Sequence, residues 1–512
     1  MQTDNGITRS VWHATANPPQ STRLAEDVTA DVCVVGAGIA GLTTAYLLAK
    51  EGNKVVVLDD GPTAGGESSR TTAHLVFYND DGLTKIEKVH GFDGLKLATQ
   101  SHSAAVDTIE RIATEEAIDC DFKRLSGYLF VTPGGQDHKW LEQELDAAHR
   151  VGLGDAHWVD RAPLPSFDTG RCLCYPRQGR VHPLKYFAAL AERITRMGSR
   201  VYNETHAQDI KGGRPATVTT AQGRTVTCDA VVVATNTPVN DRVTMHTKQH
   251  PYRTYVLGFK VRRGAIPDAL YWDTLDPYHY IRLQQLDARH DVLISGGEDH
   301  KTGQANDPVR RFEEIEKFTR SRFPEAGEIA FRWSGQTLEP VDHLAFIGRN
   351  PGDADNVYIA TGDSGMGMTH GTIAGLLLTD LILNRRNEWA SLYDPSRKIR
   401  STHAAATFVG ENVNVAAQYA NLATPGEVNT LDEIAPDTGA ILRRGLKKVA
   451  VYKDAQGVCH ERSAICTHLG CVVMWNGLEK SWDCPCHGSR FDPQGKPVNG
   501  PANTGLGMPE VS

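Results

Sequence analysis

Hydrophobic positions change their spacing along this chain, and each spacing predicts a different element. Apolar DVCVV (31–35) predicts a buried strand, LTTAYLLAKEG (42–52) has the period of a helix that ends at Gly52, and KVVVLD (54–59) predicts a second strand. Short alternating runs that predict further strands follow at YVLGFKV (255–261), YHYIRL (278–283) and DVLISGG (291–297). The pattern indicates a strand–helix–strand unit near the N-terminus and a β-rich region later in the chain.

The turn between the first strand and the helix carries a glycine motif. Gly36, Gly38 and Gly41 form G-x-G-x-x-G. The first glycine permits a tight turn, the second lets a pyrophosphate approach the backbone, and the third lets the helix pack close to the strand. The helix N-terminus presents a partial positive charge to phosphates, and Asp59 can accept hydrogen bonds from ribose hydroxyls. These features predict a dinucleotide site; the alternative is a doubly wound unit that binds no nucleotide.

Composition limits the class of protein. A length of 512 residues, 40% hydrophobic and 23% charged, predicts two to four globular domains. A net charge of -8 without basic runs argues against nucleic-acid binding. The N-terminus has no apolar signal segment and no stretch of about 18 apolar residues occurs, so we expect a soluble cytoplasmic protein without a membrane span. Ten cysteines are too few for a secreted disulfide scaffold.

Three segments indicate which dinucleotide binds. They are GPTAGGESSRTTAHL (61–75), VVVATNTP (231–238) and NVYIATGDSGMGMTHGTIAGLLLTDLI (356–382), where a glycine-rich turn joins a strand to a helix. Over about residues 30–390 the chain resembles the D-amino-acid-oxidase superfamily, which implies FAD; the alternative for the second turn is an ordinary strand-to-helix loop. No second G-x-G-x-x-G follows a strand, so no built-in NAD(P)H site is expected. The implied cofactor contacts are Gly36, Gly38, Ile39, Ala40, Gly41, Asp59, Ser69, Arg70, Thr71, Gly362, Gly365, Met366, Gly367 and Met368.

The same resemblance implies an inserted, mostly antiparallel substrate domain that faces the flavin. Tyr280 and Arg282 alternate on one strand and share a face, so Arg282 could bind a substrate carboxylate; the alternative is a solvent-facing arginine. Trp333 and His370 are further catalytic candidates, with packing and a helix N-terminal position as the alternatives. A covalent bond between His74 and the flavin, as in some relatives, stays open. No catalytic base is evident in the sequence.

Six residues of metal-binding type lie close together near the C-terminus, in CTHLGC (466–471) and CPCHGS (484–489). The spacing C-x-H-x2-C-x12-C-x-C-H does not suit a structural zinc site, which usually uses two paired ligand sets. It suits a Rieske [2Fe–2S] centre, in which two histidines replace two cysteines on one iron. Zinc and a metal-free disulfide domain are the alternatives.

Both motifs, with NGPA (499–502) as a proline loop, resemble the Rieske family. The resemblance implies that Cys466 and Cys484 ligate the inner iron. It also implies that His468 and His487 ligate the outer iron near the surface, and that Cys471 and Cys486 form a disulfide. Cytochrome-complex members have a tyrosine where this chain has Phe491, while Ser489 is retained. Fewer hydrogen bonds to sulfur predict a reduction potential below theirs, though above that of an all-cysteine cluster.

The whole chain therefore resembles bacterial FAD-dependent oxidoreductases fused to a Rieske domain. We expect an α/β, Rossmann-like FAD domain with an inserted antiparallel-sheet substrate domain, followed by a small all-β domain. The implied function is a dehydrogenase that oxidises a small amine or amino acid and passes electrons singly through the cluster to an acceptor protein. Reverse flow, from a donor protein, and a non-catalytic redox sensor or electron-transfer partner are the alternatives. The expected parts are 1–395 (FAD about 28–90, 150–245 and 330–390; substrate about 90–150 and 245–330), a helical linker at 396–428 and the Rieske domain at 429–512.

Overall fold

A computed structural model describes residues 5–16, 19, 21–240, 243–399 and 401–509. A parallel sheet lies at the centre of the flavin-binding part of the chain that precedes the C-terminal domain, with one antiparallel strand at its edge. Its middle strands are apolar throughout and buried at every position, as parallel strands covered on both faces must be. In spatial order its strands are Phe346–Arg349, Val357–Thr361, Ala230–Val233, Val32–Val35, Val55–Leu58 and Arg200–Tyr202.

Two helices cross closely on one face of this sheet. The predicted helix spans Ile39–Lys50 and packs against Gly367–Ile382, the helix that follows the second glycine-rich turn. A Cβ at Gly375 would lie 2.4 Å from Thr43 Cγ2, so glycine permits the close approach. The described helices are Val11–Thr15, Ile39–Lys50, Leu83–Glu115 (broken at Gly91), His138–Arg150, Pro183–Arg196, Pro308–Arg322, Gly367–Ile382, Ala390–Tyr393 and Thr402–Gln418.

A small sheet packs on one face of the parallel sheet, over its central strands. It comprises Val28–Thr29, Thr225–Cys228, Ala216–Thr220 and Ala207–Lys211. Its inward residues Val218 and Val226 share a buried cluster with Val35 and Val56 of the parallel sheet. This apolar layer holds the small sheet against the parallel sheet.

The expected substrate sheet is present and mostly antiparallel. One of its faces packs on Phe312, Ile315 and Phe318 of a single helix. Its extent differs from the expected parts, because Cys172–Arg180 and Ile329–Pro340 pair into this sheet and not with the FAD domain. The strands in spatial order are Ile329–Pro340, Gln249–Arg262, His290–Lys301, Tyr280–Gln285, Leu270–Asp273, Lys123–Phe130, Cys172–Arg180 and His74–Leu75, with His157–Val159 beside Cys172–Arg180.

The C-terminal part begins after the helix Thr402–Gln418, which occupies the expected linker. Two small antiparallel sheets form the expected all-β domain. One sheet contains Thr438–Arg444, Lys447–Lys453 and Cys459–Ser463; the other contains Met474–Asn476, Ser481–Asp483, Arg490–Phe491 and Pro497–Asn499. Across the described residues, no helix is both long and apolar enough to cross a membrane.

Candidate functional site

The first glycine-rich turn opens onto a deep cleft between the parallel sheet and the substrate sheet. Gly36 has φ 105°, and a Cβ there would lie 2.3 Å from the Ala234 carbonyl oxygen. A Cβ at Gly41 would lie 1.9 Å from the Gly36 carbonyl oxygen, which confirms that this glycine lets the helix approach the strand. The N-terminal turn of the helix, at Gly38, Ile39 and Ala40, lines the cleft.

Most of the predicted flavin contacts lie on the wall of this cleft, and two do not. Gly41 packs the helix on the strand. Ser69 is fully buried behind the wall, where its hydroxyl donates to the Gly65 carbonyl oxygen at 3.0 Å. Ser68 lines the cleft in its place and accepts from the Ile39 backbone N–H at 3.1 Å. Asp59 lines the cleft while accepting from the Ala37 backbone N–H at 2.6 Å.

The second glycine-rich turn lines the same cleft as the first. Gly362 and Gly365 have φ of 76° and 68°, so both need the left-handed conformation that glycine adopts at little cost. His370, in the first turn of the following helix, lines the cleft and donates from Nδ1 to the Asp363 carbonyl oxygen at 2.8 Å. Burial lowers the pKa of His370 to about 4, so the ring is neutral at pH 7. FAD binding requires a helix N-terminus for the phosphates and an acid for the ribose, and the cleft provides both, at the glycine-rich turns and at Asp59.

Of the predicted catalytic side chains on the substrate sheet, only Tyr280 reaches the cleft. Its hydroxyl lies 2.6 Å from Thr254 Oγ1. Arg282 is fully buried below the cleft wall, where it donates to backbone carbonyl oxygens including that of Ala73 at 2.7 Å. Its guanidinium holds the segment that lines the cleft and is not placed to bind a substrate carboxylate. Trp333 is also fully buried, with Nε1 donating to the Arg70 carbonyl oxygen at 2.8 Å.

Two carboxylates that sequence reasoning missed line the same end of the cleft. Asp80 accepts from the Tyr278 hydroxyl at 2.6 Å, and Asp299 lies at the end of a neighbouring strand. Burial raises the pKa of Asp80 to about 7 and that of Asp299 to about 6. Neither residue belongs to a motif, and 219 positions separate them, so only the folded chain shows that they share a site.

The four predicted iron ligands come together on two facing loops. In the first loop the Cys466 N–H donates to the Cys471 carbonyl oxygen at 2.8 Å; in the second the Cys484 N–H donates to the Ser489 carbonyl oxygen at 2.8 Å. The rings of His468 and His487 lie 5.0 Å apart, centroid to centroid. His487 Nδ1 is buried and makes no hydrogen bond within the described part of the chain, which suits a metal ligand.

Hydrogen bonds converge on the two thiols. The pKa of the Cys466 thiol is lowered to about 7, although burial acts in the opposite direction. The largest cause is a hydrogen bond with Cys484, and further bonds come from the Ser489 hydroxyl and the backbone N–H groups of His468 and Leu469. Cys484 likewise accepts from two backbone N–H groups, those of Cys486 and His487. Such bonds stabilise thiolate ligands and tune an iron–sulfur cluster. The donor set thus fits a Rieske cluster.

The remaining two cysteines are bonded to each other. Cys471 and Cys486 form a disulfide between the two loops, as the resemblance implied. Cys471, Cys484 and Cys486 have sulfur atoms within 4.8 Å of one another, a spacing that could suggest a three-cysteine metal site. That site is excluded here because a sulfur in a disulfide is not available as a thiolate.

The cluster loops face the flavin-binding half. His487 is only 6% exposed, so the expectation that both ligand histidines lie near the surface is wrong for His487. The buried ring of His246 packs against both, at 4.7 Å from His468 and 5.9 Å from His487. Gln336, on the cleft wall, donates from Nε2 to the Gly488 carbonyl oxygen at 3.1 Å. Residues 497–500 and 502–503 of the cluster domain also line the cleft.

A buried ion pair joins the cluster domain to the flavin-binding part of the chain. Glu479 of the cluster domain pairs with Arg70 at 2.9 Å, and their side chains are 0% and 1% exposed. Glu479 also accepts from the Ser334 and Thr8 hydroxyls at 2.6 and 2.5 Å. Arg70 is thus a cleft-lining residue whose guanidinium binds the cluster domain. Burial alone would raise the pKa of Glu479, but the nearby arginines lower it to about 2.

Comparisons with known proteins agree with this geometry. Residues 31–381 match the family described as FAD dependent oxidoreductase (DAO), and residues 425–510 match the Rieske [2Fe-2S] domain. The chain is 30% identical over 492 residues to the Bacillus subtilis protein YhfW, whose name describes a Rieske 2Fe-2S iron-sulfur protein; the match covers 96% of this chain and 95% of YhfW. It is 30% identical over 391 residues to the gamma-glutamylputrescine oxidoreductase of Escherichia coli, covering 73% of this chain and 89% of that protein.

A solved structure shows the same fold in the N-terminal part. Glycine oxidase from Geobacillus kaustophilus superposes with a TM-score of 0.60 at 19% identity, covering 73% of this chain and all of that one. At that identity the likeness concerns the fold alone. Together with the cleft and the cluster loops, these matches show that the chain belongs to the FAD dependent oxidoreductase family and carries a C-terminal Rieske [2Fe-2S] domain.

Proposed function

We propose that this protein is a dehydrogenase that oxidises a small amine or amino acid and delivers the electrons singly to an external acceptor. The observation that carries the proposal is the shared wall between the two cofactor sites. Gln336 lines the flavin cleft and bonds to Gly488, the residue next to the ligand His487, while Asn499 and Gly500 of the cluster domain line the cleft directly. Two redox sites this closely joined favour electron exchange within one chain.

The redox balance follows from the two groups. When bound, FAD takes up two electrons from an organic substrate, and a [2Fe–2S] cluster carries one electron at a time. The substrate loses a hydride from carbon and a proton from nitrogen and becomes an imine, which water hydrolyses to a carbonyl compound and an amine or ammonia. Two equivalents of a one-electron acceptor receive the electrons. Two-electron oxidation of the substrate at the flavin site is thereby coupled to the transfer of single electrons from the cluster to the acceptor.

The chain's own residues shield and fix this arrangement. Residues 497–500 and 502–503 cover part of the cleft, which limits the access of water and oxygen to its interior. The pair Arg70 and Glu479 holds the cluster domain in this position, so transfer requires no domain movement. His246 packs against both ligand rings and fixes their orientation towards the flavin-binding half. The name of the related gamma-glutamylputrescine oxidoreductase supports an amine or amino acid as the substrate.

Anaerobic stopped-flow absorbance on the purified holoprotein tests the proposal. A panel of amines and amino acids is mixed with oxidised protein, and the visible bands of flavin and cluster are followed together with the EPR signal of the reduced cluster. We expect flavin bleaching first and cluster reduction second. If no candidate bleaches the flavin, while a reduced ferredoxin reduces the cluster and then the flavin, electrons flow in the opposite direction and the proposal is wrong.

A further inference from the structure

The end of the cleft beside the second glycine-rich turn carries a concentration of negative and aromatic groups that the proposed function does not yet explain. We infer that the substrate is an amine without an α-carboxylate, bound as an ammonium ion by Asp80 and Asp299 between aromatic rings. The inference rests on the proposed function and narrows its substrate class.

Asp80 lies at the junction between the flavin turn and the substrate sheet. A Cβ built on Gly365 would lie 3.1 Å from Asp80 Oδ2, so the carboxylate is directly against the turn predicted to contact the flavin. The Tyr278 hydroxyl donates to the same oxygen at 2.6 Å and fixes the side chain. The neighbouring Asp81 turns away and pairs with Lys85 at 2.8 Å and His343 at 3.1 Å. Of the two adjacent acids, Asp80 is the one that lines the cleft.

Asp299 reaches the cleft because its strand is bulged. Tyr255 pairs with Gly297 and Arg253 pairs with His300, which leaves Glu298 and Asp299 opposite the single residue Thr254. A bulge of this kind re-aims side chains, and the Glu298 backbone is accordingly left-handed, with φ 59°. Asp299 then lines the cleft, and its Oδ1 is buried without a hydrogen bond to any described residue. A buried carboxylate oxygen without a donor is a place for a ligand N–H.

Aromatic rings form the walls around the two acids. Tyr78 and Trp272 lie 5.9 Å apart, Tyr278 and Tyr280 lie 5.6 Å apart, and all four line the cleft. Ring faces attract a desolvated cation, and an ammonium ion can donate to a carboxylate at the same time. An aromatic enclosure with two carboxylates is thus complementary to an alkylammonium group.

The positive groups of the cleft are not arranged for a substrate carboxylate. Among the described lining residues, Arg70 is the one arginine or lysine, and it pairs with Glu479. A hydrogen bond with Asp60 raises the pKa of the lining residue His206, and its Nδ1 lies 3.3 Å from that carboxylate, so this histidine is also already paired. Burial lowers the pKa of His74 to about 3 and that of His370 to about 4, so both are uncharged at neutral pH. Burial raises the pKa of Asp80 to about 7 and that of Asp299 to about 6, and a bound ammonium ion would favour the ionised form of both, whereas the carboxylate of an α-amino acid would face like charge. The site therefore discriminates by charge against amino acids.

The test compares matched ligands on the holoprotein. Butylamine and 2-aminopentanoate differ in the carboxylate at the reacting carbon, and anaerobic flavin reduction is measured for each. Binding is measured separately by calorimetry with tert-pentylamine and with pentanoate. Protonated tert-pentylamine keeps its N–H donors but has no hydrogen on the carbon beside nitrogen, so it is a cation that cannot be oxidised to an imine. We expect butylamine to reduce the flavin, 2-aminopentanoate to fail, and the tert-pentylammonium ion to bind more tightly than pentanoate.

Substitutions show whether the two acids are responsible. Asp80→Asn and Asp299→Asn keep the side-chain size and remove one charge, and each should weaken binding of the cation about 10-fold or more. Glu298→Gln is the matched control, since Glu298 is next to Asp299 in the bulge but its carboxylate lies 3.6 Å from His279 Nε2. It should leave cation binding within about 2-fold of the native protein.

The outcomes separate this inference from the proposed function. If 2-aminopentanoate reduces the flavin faster than butylamine, or if neither Asn variant weakens cation binding, the inference is wrong while the dehydrogenase proposal stands. If no organic substrate reduces the flavin, the proposed function fails. Calorimetry alone then decides: tight cation binding that both Asn variants weaken supports the ammonium site, and preferential binding of pentanoate overturns it.

Discussion

The buried pair between Arg70 and Glu479 offers the sharpest test of how the two halves are joined. Replacing Glu479 with glutamine keeps the shape of the side chain and removes its charge. Arg70 then loses Glu479 as its buried partner, since both side chains are at most 1% exposed. We expect a large loss of stability, because removing one partner of a buried ion pair is strongly destabilising.

Two estimates bracket the magnitude of this loss. At the observed N–O separation of 2.9 Å, with an effective dielectric constant of about 20, the pair attraction is about 6 kcal/mol before relaxation. A carboxyl whose pKa falls from 4.5 to about 2 on folding contributes about 3 kcal/mol at neutral pH. Removing one partner of a buried pair typically costs about 3–5 kcal/mol. We therefore expect Glu479→Gln to lose about 3 kcal/mol or more.

Urea unfolding of the holoprotein, followed by the visible circular dichroism of the cluster and by flavin fluorescence, measures this loss. Glu51→Gln is the control, because Glu51 pairs with Arg385 at a shorter 2.6 Å but both side chains are 40–49% exposed. Its cost should stay below about 1 kcal/mol. Equal losses in the two variants would refute the reasoning that burial sets the strength of the pair.

The same pair predicts a dependence on acidity. Because the pKa of Glu479 is lower in the folded protein than the ordinary 4.5, its contribution is fully present above about pH 4.5. It is lost as the pH falls from there through about 2. The stability difference between native protein and Glu479→Gln should therefore shrink over this range in acid urea titrations. A difference that stays constant down to pH 3 would contradict the assigned pKa.

Three further variants test other parts of the molecule. Phe491→Tyr places a hydroxyl in the buried core beside the ligand cysteines and should raise the cluster's reduction potential in an EPR-monitored titration, whereas Phe491→Leu should not; no rise would count against a hydrogen bond to sulfur. Arg282→Lys should lower the melting temperature, because the buried carbonyl oxygens lose hydrogen-bond donors. The KM for the substrate should stay unchanged. A raised KM in a variant of native stability would show that Arg282 does bind the substrate. Gly41→Ala should yield protein with little bound FAD, measured as flavin absorbance per chain, since its Cβ would meet a backbone oxygen at 1.9 Å; full occupancy would show that the helix shifts freely.

Local motifs could be predicted from the sequence because their chemistry is set by neighbours in the chain. The turn at Gly36 and the loops at Cys466 and Cys484 each need a fixed spacing of a few residues, and the structure places them as expected. Strand alternation also put Tyr280 on the cleft side. The alternation does not indicate how deeply a side chain is buried. Arg282 is on the same strand face as Tyr280 but lies below the cleft wall, where it donates to backbone carbonyl oxygens.

Features made by distant segments could not be predicted. The bulge that turns Asp299 into the cleft depends on pairing with a strand 45 positions away, and no residue type marks it. The burial of His487 depends on docking against the flavin-binding half, which the family pattern of an exposed ligand pair does not describe. Cys172–Arg180 lies within the range expected for the FAD domain, but it pairs with Lys123–Phe130 of the substrate sheet. The order of segments in the sequence does not indicate which strands pair with each other.

The contacts between the first and last parts of the chain have a consequence for its synthesis on the ribosome. Asn5 and Thr8 bind Arg490 and Glu479, across 485 and 471 positions. Arg70 and Arg253, buried in the finished protein, acquire their acidic partners Glu479 and Asp483 only when the last segment has been made. Until then the flavin-binding part of the chain lacks these acidic partners and its cleft is not covered by residues 497–500 and 502–503, so FAD can enter before the cluster domain folds over it.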